Sequence, residues 1–101
     1  MVSWRKGLLS QVPIELAKLR PEELNRQILR IAIIAELDAI SLYEQMAALA
    51  SDKAVKHTLL DVAREEKTHV GEFLALLLRL DGEQAVELRK GEEEVRELLE
   101  G

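Results

Sequence analysis

Cysteine is absent from the chain, which excludes disulfides, thiolate metal sites and thiol catalysis. Aromatic residues are scarce, with Trp4, Tyr43 and Phe73 forming the whole set. A sequence poor in aromatics and rich in Leu, Ala, Glu, Arg and Ile favours helix over strand. Only two prolines occur, Pro13 and Pro21, and neither proline nor glycine interrupts the chain from there until Gly71. No apolar run reaches membrane-spanning length, because Glu36 and Asp38 break the longest, "IAIIAELDAISL". The 14 Lys and Arg residues are scattered among 19 acids, for a net charge of −5, so no basic groove for nucleic acid is written into the sequence. The opening "MVSWRKGLLSQVPIEL" begins basic but has too short an apolar segment for a signal peptide. The expected location is cytoplasmic.

Hydrophobic residues make up 48% and charged residues 33% of the 101 positions, the balance of one small helical domain. A single core is marginal at this length, so oligomerisation is expected. The chain reads as one domain over 1–101. A short extension, 1–20, carries at most a turn of helix between its prolines. A first long helix is expected over 21–50, where Pro21 suits the first turn and Glu22 and Glu23 suit the positive helix end. "SDK" then breaks the pattern, and Ser51 or Asp52 can cap a second long helix over 52–80. Gly71 inside it is tolerated at a cost of about 1 kcal/mol relative to alanine, and such a glycine also permits close approach of a neighbouring helix. Asp81 and Gln84 suggest a capping box for a helical tail over 82–100, which Gly91 is expected to interrupt. Two long helices joined by a tight turn make an antiparallel hairpin. The first is apolar almost all round between Ile28 and Leu49, a surface one hairpin cannot cover. The all-α solution is two hairpins pairing into a four-helix bundle.

Within that pattern "DVAREEKTHVGEF" is anomalous. Leu59, Val62, Ala63, Val70, Phe73, Leu77 and Leu80 recur at helical spacing, yet Glu66 falls in their midst and His69 lies three residues on, about 60° around the helix. On the first helix Glu36 shares a face with Ile33, Ile40 and Tyr43. Glu36 lies fifteen residues before Ser51 and Glu66 fifteen after it, so the hairpin sets both carboxylates at one height. Two acids at one apolar level repel, and an unpaired buried carboxylate costs several kcal/mol. A metal cation resolves both problems. One Glu plus a Glu-x-x-His is half of a di-iron carboxylate ligand set, and a symmetric dimer supplies the other half.

Blander explanations compete. A lone Glu-x-x-His is commonplace on solvated helix faces; the level match with Glu36 and the apolar flanks set this one apart. Arg30, Arg64 or Lys67 are the candidates for neutralising the acids by salt bridges, although Arg64 and Lys67 lie on other sides of the helix from Glu66. Tyr43 is either a hydrogen-bond donor to a ligand carboxylate or a core residue with a wet hydroxyl. Glu65 and Glu72 read as solvated or supporting acids. Asp38, Glu44 and Asp61 read as surface or interface acids, and His57 as exposed. Trp4 is a possible packing anchor against another subunit.

"AIIAELDAISLYEQMA" followed by "LLDVAREEKTHVGEF" resembles the encapsulated ferritins, the ferritin-like proteins of encapsulin nanocompartments. The likeness spans about 24–80 and rests on the separate Glu36, on Tyr43 seven positions later, and on the "EEKTH" segment. It implies that Glu36, Glu66 and His69 are iron ligands and that Tyr43 lies close to a ferroxidase centre. It further implies a homodimer with a di-iron site shared between subunits, assembly into a ring, typically a decamer, and an encapsulin shell as partner and compartment. The implied activity is oxidation of Fe(II) to Fe(III) for iron storage in that shell. Two departures stand out. Leu42 replaces a tryptophan found in some members, and Ala35 replaces an acid tied to a second site for incoming metal, to which Asp38 can still contribute. No cargo-targeting tail follows "RELLEG", so the chain is expected to be either a domain of an encapsulin fusion or a cargo whose targeting peptide lies outside it. Two other functions fit the sequence: a rubrerythrin-like peroxide reductase or manganese catalase using the same ligands, and a metal-free helical dimerisation module.

Overall fold

A computed structural model describes residues 18–101. Trp4, Pro13 and most of the expected extension lie outside them. Helix α1 spans Pro21–Leu49, α2 Lys53–Leu80 and α3 Gly82–Glu100, with no strand among the described residues. Arg20 precedes α1 in extended conformation and offers no side-chain cap. Pro21 at the first helical position leaves no N–H of its own unmet, and its fixed φ suits the helix start. Glu22 and Glu23 occupy the first turn, and Arg20 reaches Glu23 at 3.1 Å. At about 1.5 Å per residue, α1 is roughly 44 Å long.

Ala50, Ser51 and Asp52 turn the chain back. Asp52, not Ser51, caps α2, its carboxylate accepting the Val55 N–H at 3.0 Å. A single residue, Asp81, separates α2 from α3. Its carboxylate accepts the Gln84 N–H at 3.0 Å and so starts α3. Gly91 does not interrupt this helix, contrary to the sequence expectation, and α3 runs unbroken from Gly82 to Glu100. One glycine costs about 1 kcal/mol, less than the surrounding run of helix-forming Glu, Arg, Leu and Lys supplies. Lys90 also pairs with Glu87 at 3.1 Å, one helical turn away.

The hairpin core is thin. Leu29, Ile40 and Ala47 of α1 and Ala63 and Leu77 of α2 are its buried apolar residues, and the two alanines are almost fully enclosed, at 2% and 1% exposure. Small side chains there let the helix axes approach closely. Much apolar surface stays uncovered: Ile28, Leu37 and Leu42 on α1 and Val55, Leu76 and Leu80 on α2 are half exposed. Among the described residues, helix α3 touches only α2; it buries no residue and leaves Leu98 and Leu99 about 80% exposed. No described helix is long and apolar enough to cross a membrane.

Candidate metal centre

The stripe that joins α1 to α2 carries the acids. Along α1, Glu36 falls between Ile33 and Ile40 at one-turn spacing, so helical geometry places it on the packed side rather than in solvent. Along α2, Glu66 follows buried Ala63 by three residues, and His69 follows Glu66 by three more. Their side chains therefore leave α2 on the flank beside the α1 contact. The antiparallel register brings Glu36 to the same level.

The three side chains converge. Each offers one ligand atom, and those atoms lie within 4.8 Å of one another, the one such cluster of three or more potential ligands among the described residues. His69 Nδ1 lies 3.3 Å from Glu66 Oε2 and 3.5 Å from Glu36 Oε2. The first is a hydrogen bond in one tautomer of the ring. The second lies in ion-pair range without hydrogen-bond geometry, and Glu36 Oε2 is left buried with no hydrogen-bond partner. The two carboxylate side chains are 18% and 19% exposed, whereas His69 is 42% exposed. The nest is thus closed on the hairpin side and open on the flank.

The cations within reach of neutralising the acids are engaged elsewhere. Lys67 pairs with Glu44 at 3.1 Å, Arg64 with Asp61 at 2.9 Å, and Arg30 with Asp81 at 2.6 Å. One imidazole thus faces two carboxylates. A buried acceptor left unmade costs about 1–3 kcal/mol, and a cation at the focus of the three donors would remove that cost. Oxygen and imidazole donors with open positions fit iron or manganese, and the missing thiolates disfavour softer metals.

The remaining candidates lie around this cluster. Tyr43 is half-buried on α1, two turns beyond Glu36, and no hydrogen bond among the described residues involves its hydroxyl. Glu65 and Glu72 are exposed on α2, as is His57 near the turn. Gly71 has no atom within 4 Å of where a Cβ would sit, so nothing among the described residues exploits its small size. The Arg30–Asp81 pair was not foreseen from sequence. Asp81 was legible as a cap, but its contact with a residue 51 positions earlier depends on how the hairpin ends register.

Residues 27–99 match the family Rubrerythrin. The ferritin-like-encapsulin shell fusion protein of Pyrococcus furiosus is 69% identical over 72 residues, covering 71% of this chain and 21% of that protein. The encapsulin nanocompartment cargo protein EncC of Myxococcus xanthus is 38% identical over 84 residues, covering 83% of this chain and 64% of that one. The chain therefore spans about a fifth of the first relative and under two thirds of the second. Among solved structures, the encapsulated ferritin domain from Pyrococcus furiosus superposes with a TM-score of 0.76 at 64% identity, over 79% of this chain and 82% of that one. The helical hairpin thus has a ferritin-like fold, and with the family match over most of its length the chain belongs to the rubrerythrin family, among its encapsulated ferritins.

Proposed function

We propose that the protein is a ferroxidase whose centre is completed by a second copy of the chain. The observation that carries this reading is the buried, unpartnered Glu36 Oε2 at the focus of an acid–acid–imidazole triplet. One chain supplies Glu36, Glu66 and His69, which is half of a di-iron ligand set. A two-fold axis beside the open flank brings a second triplet opposite the first. Exposed Val55, Leu76 and Leu80 lie on that flank of α2 and would be covered by the same contact.

Iron enters this account as substrate. The combined four carboxylates balance the charge of two Fe(II) ions, and two neutral imidazoles complete the donors. Each Fe(II) loses one electron to oxygen, and the protein's part is to hold the ions, exclude competing ligands and leave positions free for the oxidant. The added positive charge of Fe(III) is better tolerated among carboxylates than in an apolar groove. The family resemblance supports Tyr43, on the Glu36 stripe, as a residue near the centre. The names of the two relatives support a setting inside an encapsulin shell, with the chain either fused to the shell protein or carried as cargo. Dimers would assemble further into a ring, in keeping with the decamers of the family.

The test is anaerobically prepared protein mixed with Fe(II) and oxygen. Glu36→Ala, Glu66→Ala and His69→Ala are each expected to abolish fast oxidation. Wild-type rates in all three would show that the site is misplaced. The rubrerythrin match favours a second reading, in which peroxide is the oxidant. Consumption of peroxide without oxygen during turnover would select it.

A further inference from the structure

The junction between α2 and α3 presents a choice of conformation that the helix ladder alone does not settle. Asp81 keeps both of its backbone bonds: its N–H donates to the Leu77 carbonyl at 2.9 Å, and its carbonyl accepts from Ala85 at 3.2 Å. Only its dihedral angles, φ −132° and ψ 90°, break the helix. In an uninterrupted helix the N–H groups of Gly82, Glu83 and Gln84 would bond the carbonyls of Leu78, Arg79 and Leu80. The bend gives up that pattern. Helix α3 offers little in exchange, since it buries no residue and, among the described residues, touches only α2. Backbone bonding therefore favours one straight helix, and something outside the backbone must favour the bend.

Asp81 supplies it. Asp81 is the one buried charged residue among those described, at 8% exposure. One carboxylate oxygen accepts the Gln84 N–H at 3.0 Å, replacing a lost ladder bond. The other accepts from Arg30 Nη2 of α1 at 2.6 Å. In a straight helix the Asp81 side chain could not cap Gln84, because capping requires the extended backbone of an N-cap residue. We propose that Asp81 and Arg30 form a lock that selects the bent α2–α3 arrangement over a continuous α2–α3 helix, so that α1 dictates where α3 points. Arg30 is suited to this, because its guanidinium stays charged and its donor geometry is directional. Gly82, next to the lock, has open space around it and imposes no clash of its own.

The missing cysteines make the test direct. Asp61→Cys and Arg96→Cys, both at exposed positions, take nitroxide labels, and double electron–electron resonance reads their separation. Samples diluted with unlabelled protein suppress distances between copies. A continuous helix places the two sites about 52 Å apart, and the bent form places them markedly closer. The labelled protein is expected to give one short distance. Arg30→Gln, which removes only the bridge, should add a population near the straight-helix value. Asp81→Ala, which removes bridge and cap, should shift most molecules there, and Asp81→Asn should fall between. Far-UV circular dichroism checks that the helices persist. If Asp81→Ala fails to fold, the Arg30→Gln distribution decides. A distribution unchanged from the parent in the folded variants would overturn the lock.

Discussion

Replacing Glu36 by glutamine should stabilise the metal-free protein and abolish its stabilisation by metal. The two opposite signs follow from one atom. Glu36 Oε2 is buried and unpartnered, faces Glu66 across the hairpin, and has His69 Nδ1 no nearer than 3.5 Å. Without metal, that oxygen carries an unmet acceptor penalty of about 1–3 kcal/mol. The side chain retains 18% exposure, which places the penalty at the lower end of that range. Glutamine removes the charge, keeps the shape, and offers an amide N–H towards Glu66. The expected gain in the metal-free state is about 1 kcal/mol, which for a domain this small corresponds to roughly 4–8 °C in Tm. With metal the order reverses. At a free concentration a hundredfold above Kd, a ligand that binds only the folded state adds about 2.7 kcal/mol, and the variant should lose nearly all of it. Thermal melts at equal protein concentration, with chelator and with anaerobic Fe(II), read both effects. A variant that melts lower than the parent in chelator, yet shows the same rise with Fe(II), would refute the reasoning, since Glu36 would then be structural.

Three further outcomes are expected. Asp52→Ala removes the acceptor for the Val55 N–H and should cost about 1 kcal/mol by denaturant titration; no change would mean that the turn holds without its cap. Gly91→Ala meets nothing within 4 Å and should raise stability by about 1 kcal/mol through helix propensity, whereas a loss would show that another chain packs there. Leu76→Glu, on the exposed flank beside the site, should prevent pairing of subunits; sedimentation of an unchanged oligomer would place the interface elsewhere.

The hairpin was legible because its signals are local. Pro21, the glycine-free stretch that follows and the polar "SDK" break mark the ends that α1 and α2 adopt to within a residue or two. The cluster was legible for a different reason. Equal spacing of Glu36 and Glu66 from the turn converts a sequence count into a height in space, and Glu-x-x-His fixes the imidazole beside it. Gly91 leaves α3 unbroken because a cost of about 1 kcal/mol cannot break a helix with strong formers on both sides. The Arg30–Asp81 contact escaped because nothing local pairs them. It depends on where the α1 start meets the α2 end, a register set by packing along the whole hairpin and not by any local signal. The apolar flanks, by contrast, are visible both in the sequence and in the structure, since Leu37, Leu42, Leu76 and Leu80 remain about half exposed.

The most direct test of the central claim is a crystal structure of protein soaked anaerobically in Fe(II), with anomalous scattering recorded at the iron edge. The account predicts paired iron peaks on a two-fold axis between two chains, with Glu36, Glu66 and His69 of both chains as ligands. Iron bound elsewhere, or the three side chains turned into solvent with no second chain opposite, would contradict it.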